Sequence, residues 1–113
     1  MHELAIMAGM LDLIQEEAGS QGFARVRKVG MEVGRFSGVE AESLRFAFDV
    51  AVAGSVAEGA ELEIVPVPGR ARCRSCALEF PVGAYPAACP GCAGADLRMV
   101  GGKELRITYL DVD

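Results

Sequence analysis

The chain has 113 residues, 51% hydrophobic and 24% charged, with eleven basic residues against sixteen acidic ones for a formal net charge of −5. Such a composition is globular, and the length allows one domain, or one domain plus a small module. The acidic balance argues against general contact with nucleic acid or an anionic membrane surface, and no run reaches the ~18 apolar residues of a membrane span.

The first predicted element is a helix from Leu4 to about Ser20. Leu4, Met7, Leu11, Ile14 and Ala18 recur at three- and four-residue intervals, Met10 and Leu13 widen the stripe, and Gly19 and Gly22 are its natural stops. From Arg25 to Gly34 the period drops to two. Val29, Met31 and Val33 alternate with Lys28, Gly30 and Glu32 as a half-buried strand, and Val26, out of phase, marks either a bulge or a later start of the strand. Met7, Met10 and Met31 fall on apolar stripes and are read as core, not as thioether ligands.

Ser37-Gly38-Val39-Glu40 has the form of a capping box, with Ser37 at the N-cap and Glu40 three residues on. A second helix follows, with Leu44, Ala47, Phe48 and Ala51 on its stripe, Phe46 and Val50 broadening it, and an end near Gly54. Leu62 and Ile64, between Glu61, Glu63 and Val65, predict a second strand that Pro66 and Pro68-Gly69 close as a linker. Residues 70 to about 100 hold all four cysteines, three of the five prolines and little periodicity. After Gly101-Gly102 a strand returns, Leu105, Ile107 and Tyr109 alternating with Glu104, Arg106 and Thr108.

This order predicts an α/β fold: a small three-stranded sheet with two helices, plus an inserted four-cysteine, zinc-ribbon-like module. The strands on either side of the cysteine block are free to pair with each other across it. The expected division is residues 1–68 plus 102–113 for the α/β domain and 69–101 for the zinc-binding module.

The cysteine spacing is Cys73-x2-Cys76-x12-Cys89-x2-Cys92. Each CxxC turn offers two thiolates, and a hairpin between the turns brings all four to a metal at about 2.3 Å. Four sulfurs and no histidine favour Zn(II) first and iron in a rubredoxin-like site second, and saturation of the site makes the metal structural. Two disulfides are the competing reading, which needs an oxidising compartment. Met1-His2-Glu3 has no basic region of a secretory signal, so the expected location is the reducing cytoplasm. Arg70, Arg72 and Arg74 form a basic run around the first CxxC, to dock an acidic partner or to offset thiolate charge.

His2 is the only histidine. A residue beside a terminus is usually frayed and uninformative. A free α-amine, the His2 amide and imidazole and the Glu3 amide can nevertheless close chelate rings in the planar nitrogen geometry that suits Ni(II) or Cu(II). The residues alone leave both readings standing.

A wider pattern runs nearly end to end: Met1-His2-Glu3-Leu4 before a helix, Gly34 with Ser37-Gly38-Val39-Glu40, Leu44-Arg45-Phe46-Ala47-Phe48, and Glu58-Gly59-Ala60-x-Leu62. Cys89-Pro90-Gly91-Cys92 and Gly102-Lys103-Glu104-Leu105-x-Ile107 complete it. Together these resemble the HypA/HybF family of hydrogenase nickel-incorporation proteins. The resemblance implies a nickel metallochaperone whose transported Ni(II) is held by Met1 (amine), His2 (imidazole and amide) and Glu3 (chiefly its amide). It implies structural Zn(II) on Cys73, Cys76, Cys89 and Cys92, with a HypB-type GTPase and the large subunit of NiFe hydrogenase as partners. Where many relatives carry Glu-Leu after the first strand, this chain has Arg35-Phe36, and Glu40 stands at a family position that is often acidic.

No set of residues supports catalysis, since the chain has one histidine, no Ser/His/Asp constellation and no phosphate-binding glycine loop. A carrier, not an enzyme, is expected, with neither nucleic acid nor membrane as partner; a homodimer remains possible. The alternatives are a zinc-ribbon interaction adaptor with no nickel role and a rubredoxin-like electron carrier.

Overall fold

The structure, a computed structural model, describes residues 3–84 and 88–113. Its elements in chain order are α1 (Glu3–Gln21), β1 (Val26–Gly34), α2 (Ala41–Ala51), β2 (Glu61–Val67), β3 (Gly69–Cys73), β4 (Glu79–Val82), β5 (Leu97–Gly101) and β6 (Leu105–Val112). Two three-stranded sheets result. One runs β2-β1-β6, with β2 parallel and β6 antiparallel to β1, and the other runs β4-β3-β5, all antiparallel.

The strands flanking the cysteine block, β2 and β6, therefore do not pair with each other. β1, the most continuously buried strand, lies between them. The helices cover one face of this first sheet. Met7 and Ile14 from α1 and Leu44, Ala47 and Phe48 from α2 close over Val29, Met31 and Leu62, with Met10 half-buried against them. Full burial of a side chain of this size contributes about 1.5–3 kcal/mol, so this cluster carries the larger part of the stability. The apolar stripes are narrower than the sequence implied: Leu13 is 57% exposed, Phe46 72% and Val50 49%. A sheet three strands wide meets only one side of each helix.

Helix ends are set by local chemistry. Gly22, at φ +80°, ends α1 by donating its N–H to the Ala18 carbonyl at 2.9 Å, while Gly19 stays inside the helix. The α2 N-cap is Glu40, not Ser37: Glu40 is extended (φ −97°, ψ 132°) and its carboxylate accepts the Ser43 N–H at 2.8 Å. Ser37 instead accepts from the Val39 N–H at 3.4 Å in the preceding turn.

Register explains a further difference. Gly30 pairs with Tyr109 but Met31 pairs with Ile107, so Thr108 is the extra residue of a bulge. The bulge reverses the phase of β6. Tyr109 turns to the outer face, where its ring lies over Gly30 and its hydroxyl donates to Glu63 at 2.7 Å, and Leu110 packs against the core instead. The predicted irregularity near Val26 is present as a shift between Val26 and Lys28, and it leaves Val26 fully buried. Pro66 sits inside β2, not at its end, because an edge strand tolerates a missing N–H.

The cysteine block holds the whole second sheet. In β3, Gly69, Ala71 and Cys73 point inward and Arg70 and Arg72 outward, and the inward side packs with Phe80, Val82 and Cys89. Phe36, from the turn after β1, joins this second cluster and ties the sheets together. Around it the Phe36 N–H donates to the Gly102 carbonyl at 2.6 Å, the Arg35 N–H to Val67 at 2.9 Å and the Arg35 Nε to Gly83 at 2.7 Å. A Cβ on Gly69 would lie 2.6 Å from the Val82 carbonyl and overlap the Phe36 ring. Arg35-Phe36 is thus a clasp between the two sheets.

Candidate metal centre

Both CxxC turns have the same backbone. The first cysteine donates its N–H to the carbonyl five residues on (Cys73 to Leu78, 2.9 Å; Cys89 to Gly94, 2.8 Å). It accepts from the N–H four residues on (Ala77 to Cys73 and Ala93 to Cys89, both 2.8 Å). Closing such a turn requires a left-handed residue just after the second cysteine, and the chain supplies Ala77 at φ 67° and Ala93 at φ 60°. In the second turn Gly91 aims its N–H at the Cys89 sulfur at 3.4 Å, and the strained position is Ala93.

The four sulfurs lie within 4.8 Å of one another, with Cys73 and Cys92 at 3.6 Å and Cys76 and Cys89 at 3.5 Å. A metal about 2.3 Å from four tetrahedral sulfurs separates them by roughly 3.8 Å, whereas a disulfide needs about 2.05 Å. The arrangement fits a metal, and none of the four cysteines is in a disulfide. Cys73 and Cys89 are buried and Cys76 and Cys92 exposed, so each turn anchors its first sulfur in the core and presents its second near solvent.

Backbone donors and crowding split the thiols. The Cys76 and Ser75 N–H groups aimed at the Cys73 sulfur bring it down to about 7. The N–H groups of Cys92 and Gly91 lower Cys89 in the same way. On Cys76 the Leu78 N–H favours the thiolate, but the neighbouring Cys89 sulfur and burial outweigh it and push it up to about 12. Four sulfurs this close resist carrying four negative charges together. A bound cation reverses that balance and deprotonates a coordinating thiol outright.

Of the residues expected at the N-terminal site, Met1 and His2 lie outside the described residues. Glu3 is half-buried and opens α1, where the first four N–H groups have no acceptor within the helix. With Leu4 it borders a shallow groove whose other wall is Glu42, Ser43, Phe46, Ala47 and Val50 of α2. Glu40 is occupied by its cap: the Ser43 and Glu42 N–H groups hold its carboxyl below the ordinary value. Glu3, on the helix that covers the first sheet, and the thiol cluster of the second sheet thus belong to different halves of the fold, which meet at Phe36.

A helix-covered three-stranded sheet clasped to a ribbon-like module with a four-thiol cluster defines a small metal-binding protein of the α/β class. The family described as hydrogenase/urease nickel incorporation, metallochaperone, hypA matches residues 1–112. The chain belongs to this HypA family of nickel metallochaperones for hydrogenase maturation. It is 45% identical over 113 residues to the hydrogenase maturation factor HypA of Acidithiobacillus ferrooxidans (strain ATCC 53993 / BNL-5-31), covering 100% of both chains. To the HypA of Azotobacter chroococcum mcd 1 it is 44% identical, again over 100% of both. Its fold is that of the solution structure of HypA protein, with TM-score 0.78 over 99% of this chain and 96% of that one at 24% identity. The solution structure of the Ni metallochaperone HypA from Helicobacter pylori matches with TM-score 0.72 over 99% and 97%, at 22% identity.

Proposed function

We propose that this chain carries Ni(II) on its N-terminus and delivers it for assembly of the nickel site in the NiFe hydrogenase large subunit. The observation that carries the reading is the family match over residues 1–112. The Met1 amine, the His2 imidazole and amide, and the Glu3 amide form the nickel site. Deprotonated amide nitrogens in a plane suit Ni(II), and the Glu3 N–H, at the start of α1, has no competing acceptor inside the helix. A chelate of this kind releases its ion by stepwise ligand exchange, as an acceptor's donors replace the amine, amide and imidazole nitrogens one at a time.

In this reading residues 1–68 plus 102–113 form the nickel domain and 69–101 the zinc module. Cys73, Cys76, Cys89 and Cys92 hold Zn(II), which with four thiolates has no open position and stabilises the module instead of reacting. The protein is a carrier and not an enzyme, and it works with a HypB-type GTPase. Cysteines held by a metal and not paired as disulfides suit the reducing cytoplasm.

Two measurements test this. Elemental analysis of protein grown without added metal is expected to give one zinc per chain and a colourless protein; a red iron protein contradicts the zinc assignment. Acetylating the Met1 α-amine removes that nitrogen from the chelate and is expected to weaken nickel binding at least tenfold. Unchanged affinity contradicts the N-terminal site and leaves an adaptor built on the zinc module.

A further inference from the structure

The outer face of the module's sheet carries charge that the chain does not balance. Arg70 and Arg72 alternate along β3 with inward Ala71 and Cys73. Arg70 meets Glu79 at 3.2 Å, and Arg74, just past the strand, meets Asp96 at 3.5 Å. Arg72 is different. Its cross-strand partner on β5 is Arg98, so two guanidinium side chains stand opposite each other on one exposed face. Among the described residues neither has an ion pair or a side-chain hydrogen bond. Like charges directly opposite across a strand pair destabilise a sheet, so folding alone gives no reason for this arrangement. Arg72, Arg74 and Arg98 also line a concave patch with Ala77 and Cys73.

Although Cys73 borders the same patch, the groups that act on its thiol are backbone N–H donors and the other cysteines, not Arg72 or Arg98. Cys73 turns into the buried cluster while Arg72, its neighbour in β3, points to the other face. The setting also selects the partner. Residues 69–101 hold Arg70, Arg72, Arg74 and Arg98 against Glu79 and Asp96, and four thiolates on one Zn(II) bring the zinc-loaded module to neutrality overall with Arg72 and Arg98 on its outer face, whereas the rest of the chain is strongly acidic. A long polyanion such as nucleic acid would be repelled beyond the module's edge, but a short acidic segment would not. Planar guanidinium forks accept carboxylates two bonds at a time, and paired arginines on adjacent strands present two such forks side by side.

We propose that the Arg72–Arg98 face of the module docks an acidic polypeptide segment of a partner protein. The proposal is independent of where nickel binds. Its test is fluorescence anisotropy of a fluorescein-labelled octaglutamate peptide titrated with the zinc-loaded full-length chain at low ionic strength. The Arg72→Glu/Arg98→Glu variant is compared with Arg25→Glu/Lys103→Glu, which changes the net charge equally at exposed positions elsewhere.

The wild type is expected to bind, the module variant to lose roughly tenfold or more, and the control to change by less than about threefold. Arg72→Gln and Arg98→Gln singly are expected to weaken binding in the same sense, which keeps the test valid should the double variant lose zinc. No binding by the wild type, or an equal loss in the control, overturns the proposal. Tighter binding of a duplex DNA of matched charge overturns it in favour of nucleic acid. A dimer by sedimentation that Arg72→Glu/Arg98→Glu dissociates overturns it in favour of a second copy.

Discussion

The two left-handed alanines offer a quantitative test of the metal centre. At φ 67° and 60°, Ala77 and Ala93 place a Cβ where an L-residue costs roughly 1–2 kcal/mol relative to glycine. Glycine recovers that cost but adds freedom to the unfolded chain, an offset of about 0.5–1 kcal/mol. The net gain expected for Ala77→Gly or Ala93→Gly is therefore roughly 0.5–1 kcal/mol each. In the zinc reading proposed above the module's folding is coupled to its metal, so the gain appears as metal affinity. At 1.4 kcal/mol per decade, one substitution is worth about two- to fivefold, and the two together about five- to thirtyfold if independent. The assay is competition for zinc against a chromophoric chelator of known affinity. Ala93→Val, β-branched in the same left-handed turn, is expected to shift affinity the other way. Glycine variants that bind zinc no more tightly than the parent would refute the claim that these turns are strained and that strain limits the site.

Other consequences are checked with standard methods. Leu44 is 0% exposed at the centre of the first cluster, so Leu44→Ala is expected to cost about 2–5 kcal/mol by urea denaturation while zinc stoichiometry stays at one. A Cβ on Gly34 would lie 2.7 Å from the Glu104 nitrogen and overlap the Gly102 carbonyl; Gly34→Ala is expected to destabilise by about 1–3 kcal/mol and to speed amide exchange at Phe36. The Glu40 carboxyl sits below its ordinary 4.5, so its contribution is complete above that value and is lost as pH falls through the lowered one. Far-UV dichroism melts from pH 6 to pH 3 are expected to show a smaller acid loss in Glu40→Gln, whose parent must lose the capping charge.

The sequence showed the parts whose signals are local and missed those set by neighbours. Period-two alternation located β1 and β2, and helical spacing located α1 and α2, because each signal is written in consecutive side chains. The pairing order was not, since whether β2 meets β6 or β1 depends on contacts far apart in the chain. Tyr109 was placed inward because a bulge at Thr108 resets the phase, and no residue there announces a bulge. β3 was overlooked because its inward residues, Gly69, Ala71 and Cys73, are too small to count as an apolar stripe, although Arg70 and Arg72 did alternate with them. The thiol cluster was legible in full from spacing. Its left-handed positions were not, since the turns carry alanine where glycine is the usual signal. Phe36, now central to the clasp between sheets, stood out only as a departure from relatives.

The central claim is that nickel is carried by the amine, amide and imidazole groups of the first three residues. It is tested most directly by calorimetric Ni(II) titration of untagged, zinc-loaded protein beginning at Met1, at pH 7.5 and pH 5.5, beside His2→Ala and Cys76→Ser. One nickel is expected in the parent, weaker at pH 5.5 because the amine and imidazole must shed protons to bind. His2→Ala should lose the ion, and Cys76→Ser should keep it. Nickel binding that survives His2→Ala, ignores pH and disappears in Cys76→Ser would place the ion in the thiol module and contradict the account.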